Sequence, residues 1–221
     1  AGVIDTDRAR ETYNIIRDVI DAGMRVAVAW SVGKDSTVVA WIANEIRKGI
    51  PILFLDTRVH FQSTYDYAGL MKLLFGWNVV TLRRPEPYPN IAVDRVDCCF
   101  ENKIKPLHDA IRSMRLDAIL TGIKRCDGYS RQTAPVKEVR RTYHGIEYLQ
   151  VNPLLEWQER DVRAFLDTNG IPLNPLYLAG YRSLDCEPCT QPNENMLMPE
   201  RFGRQEKDRI ALEQLRRIGY F

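Results

Sequence analysis

The strongest constraint on this chain's fold is a repeated change of hydrophobic period. Short runs of nearly continuous apolar, β-branched character occur at residues 25–30, 50–57, 78–82, 117–122 and 146–151. Between and after them, at 8–22, 36–48, 64–75, 103–114 and 159–169, apolar residues recur every three to four positions. The first pattern suits strands buried on both faces, and the second suits amphipathic helices. Alternation of the two predicts an α/β fold with a doubly wound, mostly parallel sheet, whose ligands bind beyond the carboxyl ends of the strands. With 221 residues and 45% apolar content the chain suffices for one such domain with a full core. Residues 1–221 are therefore read as one unit. Within it, 171–221 is an irregular segment rich in Pro, Asn and Gly, carrying two cysteines and leading into a charged helix at 204–218. Ile210, Leu212, Leu215 and Ile218 form the docking face of that helix.

A formal charge of +2 decides little about partners, because a balanced total can hide a local basic face. The doublets Arg83–Arg84, Arg140–Arg141 and Arg216–Arg217 read first as solvated surface, with DNA phosphates as the sharper alternative. No run approaches the roughly 18 apolar residues of a membrane span, and the N-terminal stretch lacks an export pattern, so a cytoplasmic protein with no membrane partner is expected. Self-association into a homo-oligomer is left open. Five cysteines in such a chain point to ligands or reactive thiols rather than a disulfide framework.

The junction between the first strand and the next helix reads SVGKDS, residues 31–36. It offers hydroxyls at Ser31 and Ser36, a flexible backbone at Gly33, a cation at Lys34 and a helix-start acceptor at Asp35. Backbone N–H groups at a helix N-terminus bind phosphate, and Lys34 adds a point charge. The plainer reading is a capped helix, with Asp35 or Ser36 as the cap. The spacing is not that of a Walker loop. The run resembles the PP-loop of the adenine nucleotide alpha-hydrolase superfamily, approximately SGGKDS, with Val32 standing in place of a glycine. That resemblance implies an ATP site that includes Ser31, Val32, Gly33, Lys34, Asp35 and Ser36, with cleavage between the alpha and beta phosphates, and it makes Lys34 and Asp35 candidate catalytic residues. Magnesium would accompany the triphosphate, with Asp35 or Asp56 as its holders.

Cys98 and Cys99 are adjacent, and Cys186 and Cys189 form CEPC about 86 residues after that pair. Thiols from two distant points suggest a metal site. Neighbouring cysteines fit a 4Fe–4S cluster better than one tetrahedral zinc. DCCFENKIKPLHDAI and GYRSLDCEPCTQP together resemble the CC and CxxC segments of assimilatory adenylylsulfate reductases, in the PAPS reductase family, where these cysteines hold a 4Fe–4S cluster. LDTRVHFQSTYDY, TGIKR and VNPLLEWQERDVRAFL are similar to further segments of that family, so the resemblance covers about residues 25–192. It implies that Asp56, Thr57, Gly122, Lys124 and Arg125 lie near the nucleotide. Arg58 stands where the family often has glycine.

The resemblance breaks at the nucleophile. Reductases of this type attack sulfur with a cysteine in a C-terminal motif, and no cysteine follows Cys189 in the given sequence. Cys126, flanked by Lys124, Arg125 and Arg131, is the substitute candidate, since nearby cations lower a thiol pKa. An intact GKDS run beside four cysteines resembles the DNA phosphorothioation proteins of the DndC and SspD type. The leading expectation is therefore an iron–sulfur ATP pyrophosphatase that adenylylates an acceptor for sulfur insertion. Its partners would be a cysteine desulfurase, other sulfur-modification proteins and DNA. The alternatives are a sulfonucleotide reductase using Cys126 or a partner thiol, and a non-catalytic nucleotide-binding cluster protein.

Overall fold

The computed structural model describes residues 7–128 and 131–204, together with Gln214. Its centre is a sheet whose strands are β1 (Val26–Trp30), β2 (Ile52–Leu55), β3 (Val79–Leu82), β4 (Ala118–Leu120), β5 (Lys137–Arg141) and β6 (Glu147–Val151), in the order β3-β2-β1-β4-β6-β5. All neighbours are parallel except β5 and β6, which pair antiparallel with Val139 opposite Leu149. The chain winds outward from β1 to β2 and β3, then crosses to β4 on the other side of β1. The crevice between β1 and β4 is thus the topological switch point, where such sheets bind ligands.

Side-chain alternation along the strands explains the layering. Val26, Val28 and Trp30 of β1 join one apolar cluster with α1 (Asp7–Asp21), α2 (Lys34–Ile46), α3 (Gln62–Phe75) and α6 (Glu159–Thr168). Ala27 and Ala29 face the opposite way, onto Leu107 and Ile111 of α5 (Lys105–Ser113). Each fully buried aliphatic or aromatic side chain in these layers contributes roughly 1.5–3 kcal/mol relative to exposure. Two indoles are fixed by polar contacts as well: Trp30 Nε1 donates to Thr37 Oγ1 at 3.0 Å, and Trp157 Nε1 to Thr12 Oγ1 at 2.9 Å. Trp157 and Trp77 fill the core.

All five expected strands form. β5 was not expected, because KEVRR is an edge strand whose residues are half-buried or exposed and whose charges hide the period of two. The helix expected at 103–114 starts further back. A short α4 (Arg95–Cys99) runs through a wide π-turn at Phe100–Ile104 into α5, which puts both adjacent cysteines on helical backbone. Residues 171–199 are irregular, with 3-10 turns at Pro175–Tyr177 and Glu187–Cys189 and a further one at Glu200–Arg204. The docking face at 210–218 and the Arg216–Arg217 doublet lie outside the described residues. Among the described residues no helix is long and apolar enough to cross a membrane.

Candidate functional site

The crevice between the ends of β1 and β4 opens into a pocket. Ser31, Gly33, Asp35, Ser36 and Gly122 line it, as the sequence led us to expect. Gly33 is the N-cap of α2, in place of the expected Asp35 or Ser36, which sit in the first turn. Ser36 Oγ donates to the Gly33 carbonyl at 3.1 Å and accepts from the Ser31 amide at 3.2 Å, tying the loop back on itself. Gly122 is required by packing. A Cβ there would stand 2.6 Å from the Ser36 amide nitrogen and 2.9 Å from the Asp35 carbonyl carbon. Absence of a side chain lets the end of β4 reach the helix N-terminus. Val32 does not line the pocket; it is fully buried with φ of 61°, a left-handed conformation that disfavours a β-branched residue.

Lys34 does not project toward a ligand. Its ammonium lies beneath the loop, donating to the Arg182 carbonyl at 3.0 Å and to Glu200, 3.6 Å from Asp35 and above the Tyr177 ring. Lys124 is equally buried, contacting Asp35 at 2.5 Å, Asp127 at 3.1 Å and Glu200 at 3.3 Å. Burial alone would lower both lysine pKa values. The surrounding carboxylates, Asp35 first, overcome it and hold both ammonium groups above their ordinary range. Glu200 is pushed up by burial and by Asp35, against the pull of Lys34 and Lys124. Asp127 is held low: burial would raise it, but Lys124 and Arg131 dominate, Arg131 at 2.6 Å. The loop lysine, expected as a phosphate ligand, is therefore part of a buried ion network that staples the late chain to the sheet.

The other wall comes from the irregular segment and its neighbours: Tyr177, Ser183, Asp185, Glu200, Arg201 and Arg204, faced by His60, Lys103, Asp127 and Arg131. Tyr177 fixes this wall to the loop, its hydroxyl accepting from the Lys34 amide at 2.9 Å. Asp185 accepts from Lys103 and, at 2.5 Å, from Arg204. His60 is lowered by burial, so its imidazole is neutral near pH 7. Lys103, Asp127, Tyr177, Asp185, Glu200 and Arg201 escaped the sequence reading. Only two of these positions offered a signal: Asp127 follows Lys124 by three residues, and Asp185 directly precedes Cys186.

Several expected site residues lie elsewhere. Asp56 is closed within its own network, accepting from the Arg58 amide at 2.8 Å, Tyr65 at 2.9 Å and Arg83. Burial would raise its pKa, but these donors hold it low. Thr57 faces the cysteines, its Oγ1 3.1 Å from Cys186 Sγ. Arg125 turns outward to Glu156 at 2.7 Å and to the Gln132 carbonyl. Cys126 lines neither cavity. The residue is exposed while its sulfur is half-enclosed, 3.4 Å from the Trp157 carbonyl. Burial, then Asp127, Glu200 and Asp35, push its thiol up to about 11 against Lys124, so the expected activation by cations is corrected. Those cations already serve carboxylates. The two described arginine doublets are likewise paired, Arg83 with Asp56, Arg84 with Glu101, Arg140 with Glu138 and Arg141 with Glu147.

Cys98, Cys99, Cys186 and Cys189 line a second, almost wholly apolar cavity with Val59, Ile91 and Pro188. Burial raises the Cys98 thiol, and Cys99 and Cys189 add to the rise. Asn102 Nδ2 approaches Cys98 Sγ at 3.6 Å. Among the described residues no three His, Cys, Asp or Glu side chains form a group fit to hold a single metal ion. The four cysteines thus share one cavity lining, with the Thr57 hydroxyl and the Asn102 amide beside them. Lys103 borders both cavities.

The adenosine 5'-phosphosulfate reductase of Mesorhizobium japonicum is 32% identical over 176 residues, covering 76% of this chain and 66% of that relative, so the chain spans just under two thirds of its length. The enzyme of the same name from Mycobacterium bovis is 28% identical, covering 86% of this chain and 80% of its own. Among solved structures, the PAPS reductase of Candida auris superposes with a TM-score of 0.69 at 21% identity, covering 82% and 90% of the two chains. The FMN adenylyltransferase of Candida glabrata, in complex with ATP, gives 0.66 at 17% identity, covering 84% and 62%. At these identities the structures establish the fold alone. The model of the phosphoadenosine phosphosulfate reductase domain matches residues 25–192, and with all six strands, most of the pocket lining and both cysteine pairs inside that span, the chain belongs to the PAPS reductase domain family.

Proposed function

We propose that this chain binds a sulfonucleotide, adenylyl sulfate or its 3'-phosphorylated form, and takes part in its reduction. One observation carries the reading: the polar pocket at the switch point and the four-cysteine cavity share a wall, with Lys103 in both and its partner Asp185 adjoining Cys186. The names of the similar enzymes support it. In such a reaction a thiolate displaces AMP from the sulfate sulfur, forming an S-sulfonate, and a second thiol releases sulfite and leaves a disulfide. No described cysteine lines the nucleotide pocket, so in this reading the thiols come from outside the described residues. Cys98, Cys99, Cys186 and Cys189 would hold a 4Fe–4S cluster, which supplies a polarisable, redox-capable centre beside the sulfate end. The chain's own residues bind and orient: the α2 N-terminus takes phosphate, and Lys103, Arg131, Arg201 and Arg204 present positive charge to the anion.

The intact GKDS run favours a second reading, cleavage of ATP between its alpha and beta phosphates to adenylylate an acceptor, with magnesium near Asp35 and with a desulfurase and DNA as partners. Neither Lys34 nor Lys124, the lysines that would meet a triphosphate, lines the pocket, which favours the first reading. The test is anaerobic thermal stabilisation by adenylyl sulfate, PAPS and ATP at matched concentration, followed by sulfite release with a dithiol. At 100 times its dissociation constant a ligand adds about 2.7 kcal/mol of stability, enough to rank the three. Stabilisation by a sulfonucleotide with sulfite release supports the proposal. Stabilisation by ATP alone, with pyrophosphate release, replaces it with the second reading.

A further inference from the structure

Glu200 is the feature of this molecule that the proposed function leaves unused. It comes from the last described turn, Glu200–Arg204, yet its carboxylate bridges the ammonium groups of Lys34, from the loop after β1, and Lys124, from the loop after β4. Its side chain is 6% exposed, and those of the two lysines are fully buried. The placement is built rather than incidental. Arg182 holds the approach to the turn through the Asn195 and Met198 carbonyls at 3.0 and 2.8 Å and is itself anchored on Glu159. The turn is locked from the other side, where the Gln191 amide donates to the Gly203 carbonyl at 2.9 Å. A Cβ on Gly203 would run into the Gln191 carbonyl oxygen.

We infer that Glu200 is a specificity-determining residue that occupies the place of a polyphosphate tail, so that the pocket accepts a nucleotide with one phosphate at its sugar 5' end and rejects ATP. Lys34 and Lys124 are the cations that the α2 loop and the β4 loop would turn toward phosphates beyond the first, and one internal carboxylate closes both. With Asp35 and Asp127 alongside, three carboxylates already stand against these two lysines. A triphosphate tail would have to displace Glu200 or bring further negative charge against it, and like charges at such distances are costly in a buried site. A sulfonucleotide carries no phosphate beyond the first at its sugar 5' end, so it needs neither lysine. This deepens the sulfonucleotide reading by naming what the pocket excludes.

The experiment compares wild type with Glu200→Gln and Glu200→Asp for binding of adenylyl sulfate, ATP and inorganic pyrophosphate, each with magnesium. Circular dichroism and thermal melts verify folding. Glu200→Gln removes the charge, while Glu200→Asp keeps it but is one methylene too short to bridge both lysines. It therefore decides the matter if the amide variant does not fold. The expected result is at least a tenfold gain in affinity for ATP and pyrophosphate in one variant, with no comparable gain for adenylyl sulfate. Adding Lys124→Met to the gaining variant should abolish the gain. Unchanged pyrophosphate affinity in every folded variant overturns the inference, as does wild-type ATP binding as tight as that of Glu200→Gln. The two readings fail separately. A gain for pyrophosphate without adenylyl sulfate binding anywhere sinks the proposed substrate and keeps Glu200's role. Adenylyl sulfate binding without a pyrophosphate gain does the reverse.

Discussion

The two walls of the pocket are built differently. The wall at the ends of β1 and β4 is set by regular elements of the sheet and α2, and it presents backbone, the hydroxyls of Ser31, Ser36 and Thr121, and the charges of Asp35, Asp127 and Arg131. The wall at residues 177–204 has 3-10 turns and irregular chain, and it carries Asp185, Glu200, Arg201 and Arg204. Charge crosses between them: Lys34 and Lys124 from the regular wall end on Glu200 from the irregular one, and Lys103 ends on Asp185. A lysine in a phosphate-binding loop is thus not by itself a phosphate ligand. Its role depends on which carboxylate the distant chain brings to it.

The largest effect expected from breaking this arrangement is Lys124→Met. It would leave Asp35, Asp127 and Glu200 facing one another in a buried space with one of their two shared cations gone. Removing one side of such a network costs about 3–5 kcal/mol, or roughly 10 °C of melting temperature for a chain of this size. Calorimetry measures it, and a drop below 2 °C would show that water reaches the network. Next comes Gly122→Ala, which acts on the regular wall alone. The added methyl must push against the Ser36 amide and the Asp35 carbonyl carbon, both backbone atoms. Overpacking of this kind costs about 1–3 kcal/mol. Because the displaced atoms are the first turn of α2, nucleotide affinity should fall at least tenfold. Retained affinity in a titration would show that the helix N-terminus does not bind the ligand.

The asymmetry between the walls also explains what could be read from sequence. β1, β2 and β4 were legible because burial on both faces leaves an uninterrupted apolar run, whereas β5 alternates charges at an edge. Ser31, Gly33, Asp35, Ser36 and Gly122 were legible as pocket residues because strand ends carry the ligand in this fold class. Glu200 and Asp185 were not. Their pairing with lysines 76 to 166 positions away depends on where an irregular segment crosses the sheet, which no local period records. Cys126 misled for the converse reason. Sequence showed its cationic neighbours but not the carboxylates already holding them.

Two residues that stand in place of family glycines, Val32 and Arg58, both take left-handed backbone, with φ of 61° and 65°. Each bears a conformational cost of roughly 1–2 kcal/mol that glycine would remove, against about 0.4–1 kcal/mol for loosening the unfolded chain. Their surroundings then separate them. Arg58 is exposed and holds only the carbonyls of Arg84 and Pro85, so Arg58→Gly should be stabilising by up to about 1 kcal/mol. Val32 is fully buried in the core, and Val32→Gly forfeits roughly 1.5–3 kcal/mol of burial, leaving a net loss. Denaturant melts of both variants test the pair, and opposite signs are expected. Equal signs would mean that packing does not decide the cost at Val32.

The smallest effect is expected outside both walls, at Cys126. Cys126→Ser should leave stability within about 0.5 kcal/mol and any sulfonucleotide turnover within twofold, since the sulfur borders neither cavity. Its reactivity gives a sharper test. The folded pKa of about 11 lies above that of an ordinary thiol, so the native state favours the protonated form. The stability this contributes is present below the unfolded pKa and is lost as pH rises through the folded one. At pH 7 about one thiol in ten thousand would be ionised, against a few per cent for an unperturbed cysteine. Alkylation of Cys126 by iodoacetamide, read by mass spectrometry, should therefore be at least a hundredfold slower than for a model thiol at pH 7, rising about tenfold per pH unit toward 11. Rapid alkylation at neutral pH, slowed by bound nucleotide, would mean that Lys124 serves the thiol rather than the carboxylates. It would return Cys126 to the reacting groups and make the irregular wall a movable cover rather than a fixed one.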